Sequence, residues 1–166
     1  MIVIIVNQLI NMISDIELSY IAGWCDGEAS FGLNKQKRKS MKCGFDYTPK
    51  ITLTNTDKEI IEYLKKTLSL NSQIGSYNKI GTPIFQIQIF RMNEVIRVCT
   101  LLEPFLRTKK EECKLLKEWC IHHLERKKEV GWNHSPDIIL YDDIDHKIFK
   151  ELRILKTKGI NRIGGV

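Results

Sequence analysis

Twice along this chain the spacing of apolar residues switches from helical to every second position, and that alternation restricts the fold more than any other feature. From Asp15 to Asp26, the apolar residues Ile16, Leu18, Ile21, Ala22 and Cys25 recur at near-helical spacing. Asp15 or Ser14 can cap the start, and Gly27 ends the helix. Next come FGLNKQKRK and PKITLTN, the latter alternating Ile51 and Leu53 with Lys50, Thr52 and Thr54, so a hairpin is the simplest reading. The sequence then repeats itself in kind. Thr56 and Asp57 form a capping pair before DKEIIEYLKKTL, which sets Ile60, Ile61, Leu64 and Leu68 along one helical face. Gly81, Thr82 and Pro83 mark a turn, after which Phe85, Ile87 and Ile89 alternate with Gln86 and Gln88 in a second hairpin. Asn93 caps a helix carrying Val95, Ile96, Cys99 and Leu102, and Pro104 breaks it. A long helix covers Lys109 to Lys128, Gly131 to Pro136 is a loop, and a last helix covers Asp142 to Lys156 with Ile148, Phe149, Leu152 and Leu155 inward.

This order predicts an α+β domain over residues 15–156, its antiparallel sheet covered by helices on one face, with an extension at 1–14 and a tail at 157–166. With 166 residues and 43% hydrophobic content, a single core suffices. Lys and Arg total 26 against 20 for Asp and Glu, and the resulting net charge of +6 favours an anionic partner such as nucleic acid. Five cysteines, an odd number without CxxC spacing, read as reduced thiols in an intracellular compartment such as a cytoplasm, nucleoid or organelle matrix. The apolar run Met1 to Ile5 is far shorter than the ~20 residues a membrane span needs, so no membrane partner is expected.

The uncovered sheet face is the predicted binding surface. If Phe31 and Leu33 point inward, Asn34, Gln36 and Arg38 point outward, joined by Thr48, Lys50, Thr52 and Thr54, by Gln86 and Gln88, and by Ser76 and Asn78 on a fourth strand. Gln and Asn can bond adenine, Arg can bond guanine twice, and Thr offers a hydroxyl and a methyl, so the surface suits base edges in a major groove. Lys35, Lys37, Arg38, Lys39 and Lys42 crowd one hairpin, where they would meet phosphates. Polar outward residues are equally what an ordinary one-sided sheet displays.

Residues 20–30, Tyr-Ile-Ala-Gly-Trp-Cys-Asp-Gly-Glu-Ala-Ser, join small side chains to two acids. Small residues on a helix let a second copy approach, so Tyr20, Ala22, Gly23, Trp24 and Asp26 are assigned to a dimer helix. Glu28 projects past the helix end, where its carboxylate and the Gly27 carbonyl can hold Mg²⁺ or another divalent cation such as Mn²⁺. Asp26 reads as a helix-end residue with a mainly structural role.

This segment resembles the motif of the LAGLIDADG homing endonucleases, and the likeness in element order extends over roughly Glu17 to Lys110. It implies an αββαββα fold whose sheet is a DNA saddle. Two more segments are similar to the family's: 52–57, which places Asn55 near the metal's water network, and 104–110, which makes Lys109 the candidate active-site lysine. Ala29, where the family often has glycine, and Glu as the second acid depart from the commonest pattern. One motif copy implies a homodimer on a near-palindromic site.

The function implied is Mg-dependent cleavage of double-stranded DNA, with Glu28, Lys109 and Asn55 catalytic. The alternatives are an intron RNA maturase or a non-cleaving regulator of the same fold, and, from a different class, a metal-independent domain docking an acidic protein. His122, His123, His134 and His146 are expected to be surface or packing residues, and Trp119, Cys113, Leu116 and Cys120 core.

Overall fold

The computed structural model describes residues 13–41, 43–130 and 141–161. The expectations placed on Lys42, His134, the loop at 131–136, most of the 1–14 extension and the end of the tail lie outside them. The elements are α1 (Asp15–Glu28), β1 (Ala29–Lys37), β2 (Phe45–Asn55), α2 (Lys58–Thr67), β3 (Ile74–Lys79), β4 (Thr82–Ile89), α3 (Met92–Leu102), α4 (Lys110–Val130) and α5 (Asp143–Asn161). The strands form one antiparallel sheet in the order β1-β2-β4-β3. This is the α+β fold that the twofold switch of period predicts.

Local signals account for most boundaries. The Ser14 hydroxyl accepts from Glu17 N and starts α1; the Asp57 carboxylate accepts from Glu59 N and starts α2. α3 begins one residue before the expected cap, with Arg91 at the N-cap position and no side-chain cap, so Asn93 lies inside the helix. Pro104 follows the end of α3, as its missing N–H requires. The last helix continues to Asn161, five residues past the expected Lys156.

One face of the sheet packs against the helices. Phe31, Ile51, Leu53, Ile87 and Ile89 meet Ile21, Ala22 and Cys25 of α1, Ile61 and Leu64 of α2, Val95 and Leu102 of α3, and Cys113, Leu116, Trp119 and Cys120 of α4. The five cysteines are free thiols. A second set of contacts, invisible to periodicity, fastens α5. Tyr47 N donates to the Tyr141 hydroxyl at 2.9 Å, the Tyr47 hydroxyl lies 2.9 Å from His146 Nδ1, and His123 stacks between Trp119 and Tyr141. Burial pulls His123 down to about 4, so the ring packs as a neutral aromatic.

Register decides which side chains reach the open face. Asn34 pairs with Thr48, Gly32 with Lys50, Ser30 with Thr52, Thr52 with Gln88 and Thr54 with Gln86, so all of these share that face. Ser76 and Asn78 do not join them. The second hairpin turns at Ile80 and Gly81, not at Gly81 to Pro83, and pairs Lys79 with Thr82. Ser76 is then opposite Phe85 and Asn78 opposite Pro83, on the helix side, while Gly75, Tyr77 and Lys79 take the open face.

The turn itself is strained. Ile80 has φ of 52° and Gly81 of 79°, the two positive angles of a type I′ hairpin, and a β-branched side chain pays for the first. Ile80 is also 96% exposed, so its side chain contributes no burial in return. Ile80→Asn should therefore stabilise the protein by about 1 kcal/mol, raising Tm by a few degrees. A melting temperature unchanged or lowered in differential scanning calorimetry would contradict this reading of the turn.

Candidate functional site

The site lies where the end of α1 meets the start of α4. Gly27 does not end α1: the helix continues through Glu28, and Ala29 N still donates to the Cys25 carbonyl. What holds this last turn is a pair of reciprocal contacts. The Asp26 carboxylate accepts from Arg107 N at 2.9 Å, Thr108 N at 3.0 Å, Lys109 N at 2.9 Å and the Thr108 hydroxyl at 3.0 Å, capping the N-terminus of α4 from another helix. In return the Lys109 ammonium donates to the carbonyls of Cys25 at 3.1 Å, Gly27 at 3.2 Å and Ala29, neutralising the C-terminal end of α1.

Both groups feel their surroundings. Burial alone would raise the Asp26 carboxyl, but the donors from Lys109, Arg107 and Thr108 outweigh it and hold it below the usual carboxylate range. Burial lowers the Lys109 ammonium from the ordinary lysine value, opposed by the nearby Cys25, Asp26, Glu112 and Glu28. Glu28 is exposed at the helix terminus, beside Ser30 on the open face.

The donor chemistry of this terminus suits a hard divalent cation: an exposed carboxylate on Glu28 and the Gly27 carbonyl, both oxygens. Gly27 O also accepts from the Lys109 ammonium at 3.2 Å.

Other predicted residues sort less uniformly. Lys109 lies at the end of α1, its ammonium on the carbonyls of Cys25, Gly27 and Ala29. Asn55 ends β2 just past Leu53, which pairs with Ala29, but its Oδ1 accepts from Asp57 N at 2.9 Å and so forms the turn into α2. Lys35 turns to the helix side, its ammonium 3.9 Å from the Phe45 ring centroid, and Arg38 is bound to Asp46 at 2.7 Å. Lys35 is thus not displayed with Asn34 and Gln36, whereas Arg38 stays exposed beside Asp46, the residue paired with Gln36. Lys37 and Lys39 are exposed at the hairpin end. On the open face the sequence reading missed Tyr77, Lys79 and Phe90, the last exposed with the Lys50 ammonium 5.6 Å from its centroid. Placing the turn at Ile80-Gly81 would have found the first two.

Of the residues assigned to a dimer helix, Tyr20 and Gly23 are exposed. Ala22 is fully buried in the chain's own core, while Trp24 and Asp26 are partly buried. The exposed stripe is Ile16, Tyr20, Gly23 and Gly27, spaced by four, three and four residues, and a Cβ added at Gly23 would meet nothing within 4 Å.

A second group of potential ligands stands apart. His122, Asp142 and Asp145 bring donor atoms within 4.8 Å of one another. His122 is twelve residues along α4 from Lys110, about 18 Å at the helical rise. Asp142 is here a cap: it accepts from Ile144 N and Asp145 N, Asp145 returns a bond to Asp142 N, and Arg126 donates to Asp142 at 3.0 Å. His122 Nε2 is 3.0 Å from the same carboxylate, so it joins the hydrogen-bond network at the start of α5.

The family model described as LAGLIDADG endonuclease matches residues 21–123, from the middle of α1 into α4. The chain belongs to that family. No curated protein matches it in sequence. Among solved structures it is similar to the homing endonuclease I-CvuI in complex with its target, with a TM-score of 0.65, 13% identity, and coverage of 84% of this chain and 82% of that one. The group I intron-encoded homing endonuclease I-CeuI complexed with DNA gives 0.66 at 14% identity, covering 84% and 67%. The archaeal intron-encoded I-Vdi141I complexed with DNA gives 0.58 at 17%, covering 86% and 98%. At these identities the likeness establishes the fold.

The cap of α4 gives a direct test. Asp26→Ala should cost about 1 kcal/mol, within the usual range for a lost N-cap. Because the folded-state pKa of Asp26 is depressed, its contribution is present above the unfolded value near pH 4 and disappears as pH falls through the folded value. The wild-type advantage over Asp26→Ala in urea unfolding should thus be full at pH 7 and shrink below pH 4; an equal advantage at pH 3 would refute it.

Proposed function

We propose that this chain is a site-specific double-strand DNA endonuclease that acts as a homodimer on a long near-palindromic site by divalent-metal-dependent phosphodiester hydrolysis. The observation that carries this is the position of Glu28: an exposed carboxylate on the last turn of α1, with the Gly27 carbonyl and the Lys109 ammonium beside it, at the border of an uncovered polar sheet. The DNA-bound state of several structural neighbours supports the same reading of the sheet.

In this mechanism the open face, through Asn34, Gln36, Thr48, Lys50, Thr52, Gln86 and Gln88, lies against base edges and phosphates and brings one strand to Glu28. Glu28 and Gly27 O would hold Mg²⁺ or a similar ion, which when bound supplies Lewis-acid stabilisation of the leaving oxygen. Lys109 places a fixed positive charge beside the phosphate, where charge develops in the transition state. Asp26 keeps α1 and α4 aligned, a positioning role.

The stripe Ile16, Tyr20, Gly23 and Gly27 runs along α1 to Glu28, so pairing two copies through it would set two such sites side by side, one per strand. The compartment follows from the free thiols only as a proposal: a reducing, intracellular one.

Two experiments bear on this. Glu28→Gln keeps the shape and removes the charge; it should bind a duplex carrying the gene's own insertion site while cleavage with Mg²⁺ falls to the level seen with EDTA. Wild-type cutting rates in that variant would sink the assignment. Gly23→Leu adds bulk where the single chain has open space, so it should fold normally yet sediment as a monomer and lose double-strand cleavage. A dimeric, fully active Gly23→Leu would place the subunit contact elsewhere.

A further inference from the structure

Gly32 sits in the interior of β1, where glycine costs roughly 0.5–1 kcal/mol relative to alanine and commonly marks the close approach of another group. No positive φ demands it. The group that approaches is the side chain of Lys156, from α5: a Cβ on Gly32 would collide with its ammonium. Gly32 pairs with Lys50 and therefore has its open side on the uncovered face; it is buried, and the end of the exposed Lys156 side chain lies against it there. The ammonium stops 3.3 Å from the Ser30 hydroxyl, two residues after Glu28.

Its electrostatic position is poor in the free protein. Burial lowers the Lys156 ammonium from the ordinary lysine value; Glu112 opposes this, while the cations Lys50 and Lys109 reinforce it. A lysine has three protons to donate, and Ser30 accepts one at long range. Against Ser30 and Gly32, the latter paired with Lys50, the Lys156 ammonium has a single hydrogen-bond acceptor among the described residues, and an anion on this part of the open face would offer it a stronger one. The family match ends at residue 123, so α5 and its lysine are supplied by a part of the chain outside it.

We propose that Lys156 is a phosphate-binding residue, reaching across Gly32 to present its ammonium to a backbone phosphate of duplex DNA next to the Glu28 site. This rests on the open face being the DNA surface. The cation belongs to the phosphate-contacting class, which adds affinity for any sequence and makes it depend on salt.

The test uses a non-specific duplex as probe and measures its affinity for the whole chain over a series of salt concentrations. Lys156→Gln should weaken binding and reduce the slope of log affinity against log salt by about one unit, and Lys156→Arg should restore it. Gly32→Ala, which keeps the lysine but pushes its ammonium aside, should reproduce the Gln phenotype. Thermal melting identifies any variant that fails to fold, and the other variant then carries the comparison. Steep wild-type salt dependence, unchanged in both Lys156→Gln and Gly32→Ala, would reduce Lys156 to a tether onto Ser30 and overturn the inference while leaving the DNA surface intact. Wild-type protein that binds no duplex at low salt would overturn both.

Discussion

The structure depends on one exchange between two helix ends. The C-terminus of α1 carries about half a negative charge and the N-terminus of α4 about half a positive one. Each sends a side chain of the opposite sign into the other: Lys109 onto the carbonyls of α1, and Asp26 onto the amides before α4. Backbone groups that would be unsatisfied at both termini are paired by two residues 83 positions apart in sequence. The exchange fixes where α1 ends relative to β1, and so where Glu28 stands at the edge of the sheet.

From that point the sheet divides its labour by parity. Residues of one parity on each strand build the core with Phe31, Ile51, Leu53, Ile87 and Ile89, and those of the other parity make the polar open face. Burial fixes the register, because a one-residue slip would expose every core residue at once. The tight Ile80-Gly81 turn extends the same rule to β3, at the cost of a positive φ on isoleucine. The same parity explains Gly32, whose missing side chain leaves the passage for Lys156.

Local patterns made the elements legible. Apolar spacing found the helices and strands in order, Ser14 and Asp57 marked helix starts, and the alternation around Gln86 and Gln88 assigned their face correctly. Contacts distant in sequence were not legible. Gly27 suggests a helix end by propensity, but the bonds from Lys109 and the anchoring of Asp26 carry the helix one residue further. Ala22 looks like a dimer contact because it is small, yet it is fully buried in the core of its own chain. Nor does the sequence show that Lys35 lies over the aromatic ring of Phe45 or that Arg38 pairs with the carboxylate of Asp46.

The extension of α1 through Glu28 also explains how two acids separated by one glycine come to opposite roles. Successive residues of an α-helix are 100° apart, so positions 26 and 28 differ by about 200° and point to nearly opposite sides. Asp26 faces the start of α4 and caps it, so Glu28 leaves another side of the same turn, exposed to solvent though still close enough to act on the Lys109 ammonium. Had the helix ended at Gly27, that direction would have been free. Because the turn is complete, the bonds that hold one carboxylate against α4 also set the direction in which the other leaves the helix.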